Sequence, residues 1–88
     1  MNETDVRHLV EAAIHHVAPE ADISSVDPAA DLRDELDIDS MDFLNLVDEL
    51  HDRTGVDIPE RDYPFVSSID GCIAYLTARA VPAPSGHN

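Results

Sequence analysis

The chain has no lysine and no tryptophan, a single cysteine, three glycines and only two phenylalanines and two tyrosines among its 88 residues. Each shortage excludes something. With Cys72 alone there is no internal disulfide and no thiolate zinc site, and its place in an apolar pattern predicts a buried, unreactive thiol. Five arginines against 19 acids leave a formal net charge of −14. Such a field repels nucleic acid phosphates and anionic membranes and steers basic protein surfaces inward. No glycine-rich phosphate loop is present, and no glycine pattern of a serine-hydrolase elbow. No apolar run is long enough to cross a membrane, and Met1-Asn2-Glu3-Thr4-Asp5 lacks the basic start of a signal peptide, so a cytoplasmic protein is expected.

What is present is globular: 43% hydrophobic residues, patterned for helices, with no strand alternation of useful length. The length suits one small domain, of the size that buries only about 60% of its unfolded surface. That domain is expected over residues 1–80, with 81–88 (Val-Pro-Ala-Pro-Ser-Gly-His-Asn) as a disordered tail.

Val6, Leu9, Val10, Ala13, Ile14 and Val17 recur at helical spacing and predict a first helix from Glu3 or Thr4 to Val17, capped by Asn2 or Thr4 and ended by Pro19. His8, Glu11 and His15 share another face of it, which reads as a solvated polar face rather than a metal site. Residues 18–38 form a long connection marked by Pro19 and Asp27-Pro28. Ile23, Val26, Leu32, Leu36 and Ile38 should tack it to the core, with one helical turn near Ala29–Leu32.

The most informative stretch follows. Asp39 has the side chain that caps helix starts, and Asp42 stands three residues on, a weaker form of the capping-box partner. Ser40 therefore occupies the first helical position with its hydroxyl toward solvent. Phe43, Leu46, Val47 and Leu50 form the buried face, flanked by Leu44, and Gly55 supplies the stop. At about 100° per residue, Met41, Asn45, Asp48 and Asp52 fall on the opposite side. A methionine beside three polar residues has no packing use there, and methionine is adaptable at binding surfaces. This predicts a partner-facing stripe with Met41 as its apolar anchor. Twelve acids against three arginines lie between Asp31 and Asp62, a local balance of −9 around the serine.

Beyond Gly55, Val56 and Ile58 should reach back to the core. Pro64 restricts the segment from Glu60 to Val66 to one turn at most, of 3₁₀ type. Ser67 or Ser68 then starts a last helix, with Asp70 a capping partner for Ser67 and Ile69, Cys72, Ile73, Leu76 and Ala80 on its apolar face. Tyr75 borders that face with its hydroxyl outward, and Gly71 weakens the first turn.

Asp39-Ser40-Met41, followed by Asp42-Phe43-Leu44 and later by Leu50, Gly55, Val56, Ile58 and Pro59, resembles the modification site of the acyl carrier protein family over residues 4–80. The resemblance implies an all-α fold: a small bundle of three main helices plus a short minor helix or turn, with a long first loop. It implies that Ser40 carries 4′-phosphopantetheine, attached by a separate phosphopantetheinyl transferase, with Asp39 supporting at that enzyme's magnesium site. The arm would hold acyl groups as thioesters for fatty-acid, polyketide or related enzymes, and the chain itself would not be an enzyme. Acyl-loading, condensing and modifying enzymes would dock through basic surfaces on Met41, Asp42, Asn45, Asp48 and Asp52, with no nucleic acid, no membrane insertion and no resident metal. The chain is expected to act as a discrete monomer.

Two departures stand out. The family often has glycine where Asp37 stands, and valine or leucine where Phe43 stands. A larger ring there bears on a cleft for cargo lined by Leu44, Val47, Ile58, Ile69 and Ile73. The competing functions are an aminoacyl or peptidyl carrier and an unmodified acidic interaction domain of the same fold. A calcium loop beginning at Asp37-x-Asp39 fails because Met41 takes the next ligand position and Asp42 stands where glycine is needed.

Overall fold

The computed structural model describes residues 2–79, and they form an all-helical bundle. Helix α1 runs Glu3–Val17, α2 Leu32–Leu36, α3 Ser40–Thr54 and α4 Ile69–Arg79, with 3₁₀ segments at Ile23–Ser25 and Glu60–Val66. Helix α1 packs against both α3 and α4, and the longer 3₁₀ segment packs against α4. No helix in the described residues is long and apolar enough to cross a membrane. The tail assigned to 81–88, the domain end at 80 and the core place of Ala80 lie outside the described residues.

The predicted apolar faces meet in one core. Val6, Val10, Ala13 and Ile14 of α1 lie against Phe43, Leu46, Val47 and Leu50 of α3 and Ile69, Cys72, Ile73, Tyr75 and Leu76 of α4, all buried. Val56 and Ile58 join them. Asn2 provides the α1 cap, its Oδ1 accepting from the Asp5 amide at 2.8 Å. The Cys72 thiol is fully buried beside the Val66 carbonyl at 3.2 Å, and burial pushes its pKa up to about 12.

The long connection differs from expectation. Its helical turn falls at Leu32–Leu36, not at Ala29–Leu32, because Asp31 is the cap, accepting from the Arg33 amide at 2.9 Å. Asp27 instead closes a turn ahead of it, with Ala29 N–H donating to its carboxylate at 2.9 Å and Ala30 N–H to its carbonyl at 3.0 Å. A further 3₁₀ turn at Ile23–Ser25 is organised by the Asp22 carboxylate, which accepts from Ser24 N–H and from both serine hydroxyls. Those bonds also hold the Asp22 carboxyl below its ordinary pKa. Leu32 is buried, while Ile23, Val26 and Leu36 pack on the core from the loop. Two backbone bonds stitch the loop to the start of α4: Leu32 N–H to Ser67 O at 2.7 Å and Asp70 N–H to Pro28 O at 2.9 Å.

The segment Glu60–Val66 is a seven-residue 3₁₀ helix with Pro64 inside it, longer than the single turn expected. Proline's fixed φ near −65° lies within the 3₁₀ range, so only its missing N–H interrupts the ladder. At α4, Ser68 rather than Ser67 caps, accepting from Gly71 N–H at 2.9 Å. Ser67 bonds back to Pro64 O, and the Asp70 amide is committed to the loop. Tyr75 is buried rather than bordering, its hydroxyl donating to Asp62 at 2.7 Å.

Candidate functional site

The site is built by the junction of α2 and α3. Helix α2 closes with Asp37 in the left-handed region at φ 54°, which lets Ile38 N–H return to Arg33 O at 3.1 Å. This is the C-terminal closure that usually employs glycine, and aspartate is among the few other residues that tolerate it. The sharp reversal places Asp39 in extended backbone as the α3 cap, with Oδ1 accepting from Asp42 N–H at 2.9 Å. Its carbonyl accepts the first intrahelical bond, from Phe43 N–H at 3.0 Å.

Ser40 follows as the first helical residue, exposed, as expected from the capping pattern. The amides of Ser40 and Met41 are helix-start donors without an intrahelical acceptor. With the dipole they favour a phosphodiester there, while Asp39 and Asp42 repel it. A phosphate attached there would meet both the amides and the carboxylates. A flexible group of this kind fits the residues present: its attachment oxygen is accessible, and no buried surface need open to receive it.

Met41 is 68% exposed, and Asn45, Asp48 and Asp52 are exposed along the same helix. Asp42 is half-buried and lines a cavity of about 250 Å³ with His16, Val17, Asn45, Asp48 and Glu49. Glu49 is engaged on both sides, by His16 Nε2 at 3.5 Å and Arg53 Nε at 3.1 Å. The neighbouring Asp42 and Asp48 have no ion pair among the described residues.

Leu44 departs from expectation. It is 40% exposed and adds a second apolar side chain beside Met41. It sits at the edge of the buried arc, while Val47, Ile58, Ile69 and Ile73, expected with it around a cleft, belong to the core. His16 likewise brings α1 to the edge of the α3 stripe, a proximity that only the packing of the two helices creates.

Phe43 is fixed from two sides. The Tyr63 ring meets it edge-on at 5.7 Å, and the Arg33 guanidinium lies 5.4 Å from its centroid. The larger ring thus ties α2 and the 3₁₀ helix to α3 directly behind the serine. At the other end of α3, Gly55 takes φ 73° and His51 Nδ1 lies 2.9 Å from Val56 O. That bond, reinforced by Asp57, Asp52 and Asp48, holds the His51 pKa above its ordinary value. No group of three or more metal-ligating side chains converges among the described residues.

A family model described as the phosphopantetheine attachment site matches residues 6–76. Over 55 residues, 62% of this chain and 68% of the relative, the sequence is 31% identical to an acyl carrier protein of Rubrobacter xylanophilus. Over 82 residues, 93% of this chain and 84% of the relative, it is 29% identical to an acyl carrier protein of Streptomyces coelicolor.

Proposed function

This chain belongs to the acyl carrier protein family, whose members carry 4′-phosphopantetheine, and from that premise we propose that Ser40 is its attachment residue and that it delivers acyl groups to fatty-acid, polyketide or related biosynthetic enzymes. The arm, when bound, supplies a terminal thiol on which acyl groups are held as thioesters. The chain's own residues position that arm. Asp39 fixes the helix start through its bond to Asp42 N–H and keeps Ser40 at the first helical position. Phe43, held by Arg33 and Tyr63, anchors that start against the bundle. Ser40 needs no internal base, because a separate phosphopantetheinyl transferase would supply the catalysis, and Asp39 would support it at that enzyme's magnesium site.

The observation that carries this reading is Ser40, exposed at the first position of α3 inside the matched residues. Met41 and Leu44 offer apolar contacts beside it, and Asp42, Asn45, Asp48 and Asp52 offer polar and charged ones. We assign this face to the transferase and to loading, condensing and modifying enzymes with basic docking surfaces.

Intact-protein mass spectrometry tests it. The chain and a Ser40→Ala variant are incubated with coenzyme A, magnesium and a broad-specificity transferase. A gain of one phosphopantetheine on the unsubstituted chain alone is expected. No gain on folded protein, with a control carrier modified in the same tube, would favour an unmodified interaction domain. Loading by an amino-acid-activating enzyme in place of an acyl-loading one would favour an aminoacyl carrier.

A further inference from the structure

Phe65 is 61% exposed on the 3₁₀ helix. It borders a groove of about 320 Å³ together with Gly71, Ala74, Tyr75 and Arg79. On α4, Gly71 lets the Phe65 backbone rest against the helix, and Ala74 keeps the groove wall beside the phenyl ring small. The other aromatic wall is fixed: the Tyr75 hydroxyl donates to Asp62 at 2.7 Å. The Arg79 guanidinium lies 3.8 Å from the Tyr75 centroid and donates to Tyr75 O at 3.4 Å, so its charge is held at the groove edge.

The charge of this lining is unusual for the molecule. It holds one guanidinium and no carboxylate, on a chain of net charge −14. Four other grooves on the described surface each include carboxylates, Glu20, Asp70, Glu11 and Asp48 among them.

We propose that this groove is a second docking surface, seating an apolar side chain flanked by carboxylates on an exposed segment of a partner protein. A segment of that composition is repelled by the carboxylates around Ser40 and met by a cation here, so the same charge that attracts basic surfaces to α3 directs an acidic one to α4. A protein segment fits better than a free acyl chain. The groove is open and Phe65 stays largely exposed along it, so covering the ring takes atoms on either side of the anchor. The assignment is independent of whether Ser40 is modified.

The test is a titration of the ¹⁵N-labelled full chain with a blocked tripeptide of leucine between two glutamates, followed by NMR. Saturable shifts are expected at the amides of Phe65, Gly71, Ala74 and Tyr75. Replacing the glutamates by glutamines, or Arg79→Gln in the protein, should weaken binding about two- to fivefold, the size of an exposed charge pair. Replacing the leucine by alanine, or Phe65→Ser, should remove saturation. Shifts centred on α3, equal binding of the glutamine analogue, or no saturable shift would each overturn the proposal. So would a concentration-dependent dimer in sedimentation that Phe65→Ser abolishes, since the groove would then seat a second copy. Both variants should accept phosphopantetheine as the unsubstituted chain does and keep its melting behaviour. A failure here is thus separable from a failure at Ser40.

Discussion

The Phe65 carbonyl lies where the side chain of residue 71 would begin. A Cβ built on Gly71 comes well inside 3.0 Å of that oxygen and to 3.0 Å of Ser68 Oγ. The 3₁₀ helix therefore rests directly on the backbone of α4, and glycine is what allows it. Helix propensity alone predicts that Gly71→Ala stabilises by about 1 kcal/mol. The structure reverses the sign. The added methyl must displace backbone, an overpacking cost of about 1–3 kcal/mol. Thermal denaturation should show a melting point lower by several degrees; an unchanged or raised one would mean that the 3₁₀ helix does not rest on α4 at Gly71.

Asp37 makes the opposite case. It holds a left-handed conformation at φ 54° that glycine adopts without penalty. Asp37→Gly should stabilise the domain modestly, by up to about 1 kcal/mol, the relieved strain being partly offset by the greater freedom of glycine in the unfolded chain. Asp37→Val, with a branched Cβ, should destabilise it and disturb the α2–α3 junction behind Ser40. Urea denaturation of the pair checks this: equal midpoints would show that the junction carries no such strain.

His51 gives the fold a pH dependence of definite sign. Its folded pKa is raised, first by the bond to Val56 O and then by Asp57, Asp52 and Asp48. The stabilisation is therefore fully present below the unfolded value near 6.5 and is lost as pH rises through the folded value. The melting-point gap between the chain and His51→Gln should be widest near pH 6 and narrow toward pH 8.5. A gap that widens with pH would contradict the geometry.

Cys72 bears on how the arm can be measured. Fully buried and with its pKa pushed up to about 12, it should resist thiol reagents in the native protein. The unmodified chain should therefore release no chromophore from a disulfide reagent until denatured, while the modified chain should react natively with one equivalent. Reaction of the native, unmodified chain would show that α4 opens readily.

Helix α3 was legible from end to end because its signals are local. Asp39, the apolar spacing and Gly55 each act within a few residues, and the helix spans Ser40–Thr54 as they imply. The connection before it was less so. Asp22, Asp27 and Asp31 can all cap, and which of them begins a helix is settled by where Leu32 is buried and by bonds to Pro28 and Ser67. Leu44 lies at the edge of the helical arc, so its exposure depends on what packs beside it. Gly71 and the Phe65 groove exist only because the 3₁₀ helix folds onto α4, a contact that no local pattern records.

The exposed face of α3 should act through contact and charge together. Met41→Ala and Leu44→Ser each remove apolar surface beside Ser40 while leaving the core untouched, since both side chains are exposed. Asp48→Lys reverses a charge that makes no ion pair among the described residues. Met41→Ala and Asp48→Lys should leave stability within about 0.5 kcal/mol of the unsubstituted chain, as expected for surface positions, whereas Leu44→Ser, at a side chain more than half covered, should lower it by about 1 kcal/mol. Loading by an enzyme with a basic docking surface should nevertheless slow. The Asp48→Lys deficit should shrink as salt rises, because an exposed charge acting over several ångströms is screened. The two apolar deficits should persist, because buried contact area is not. Measuring loading rates from low to physiological salt separates the two contributions. Unchanged rates in all three variants would remove α3 as the docking face, and equal salt dependence in all three would mean that Met41 and Leu44 act only by disturbing the charges around them.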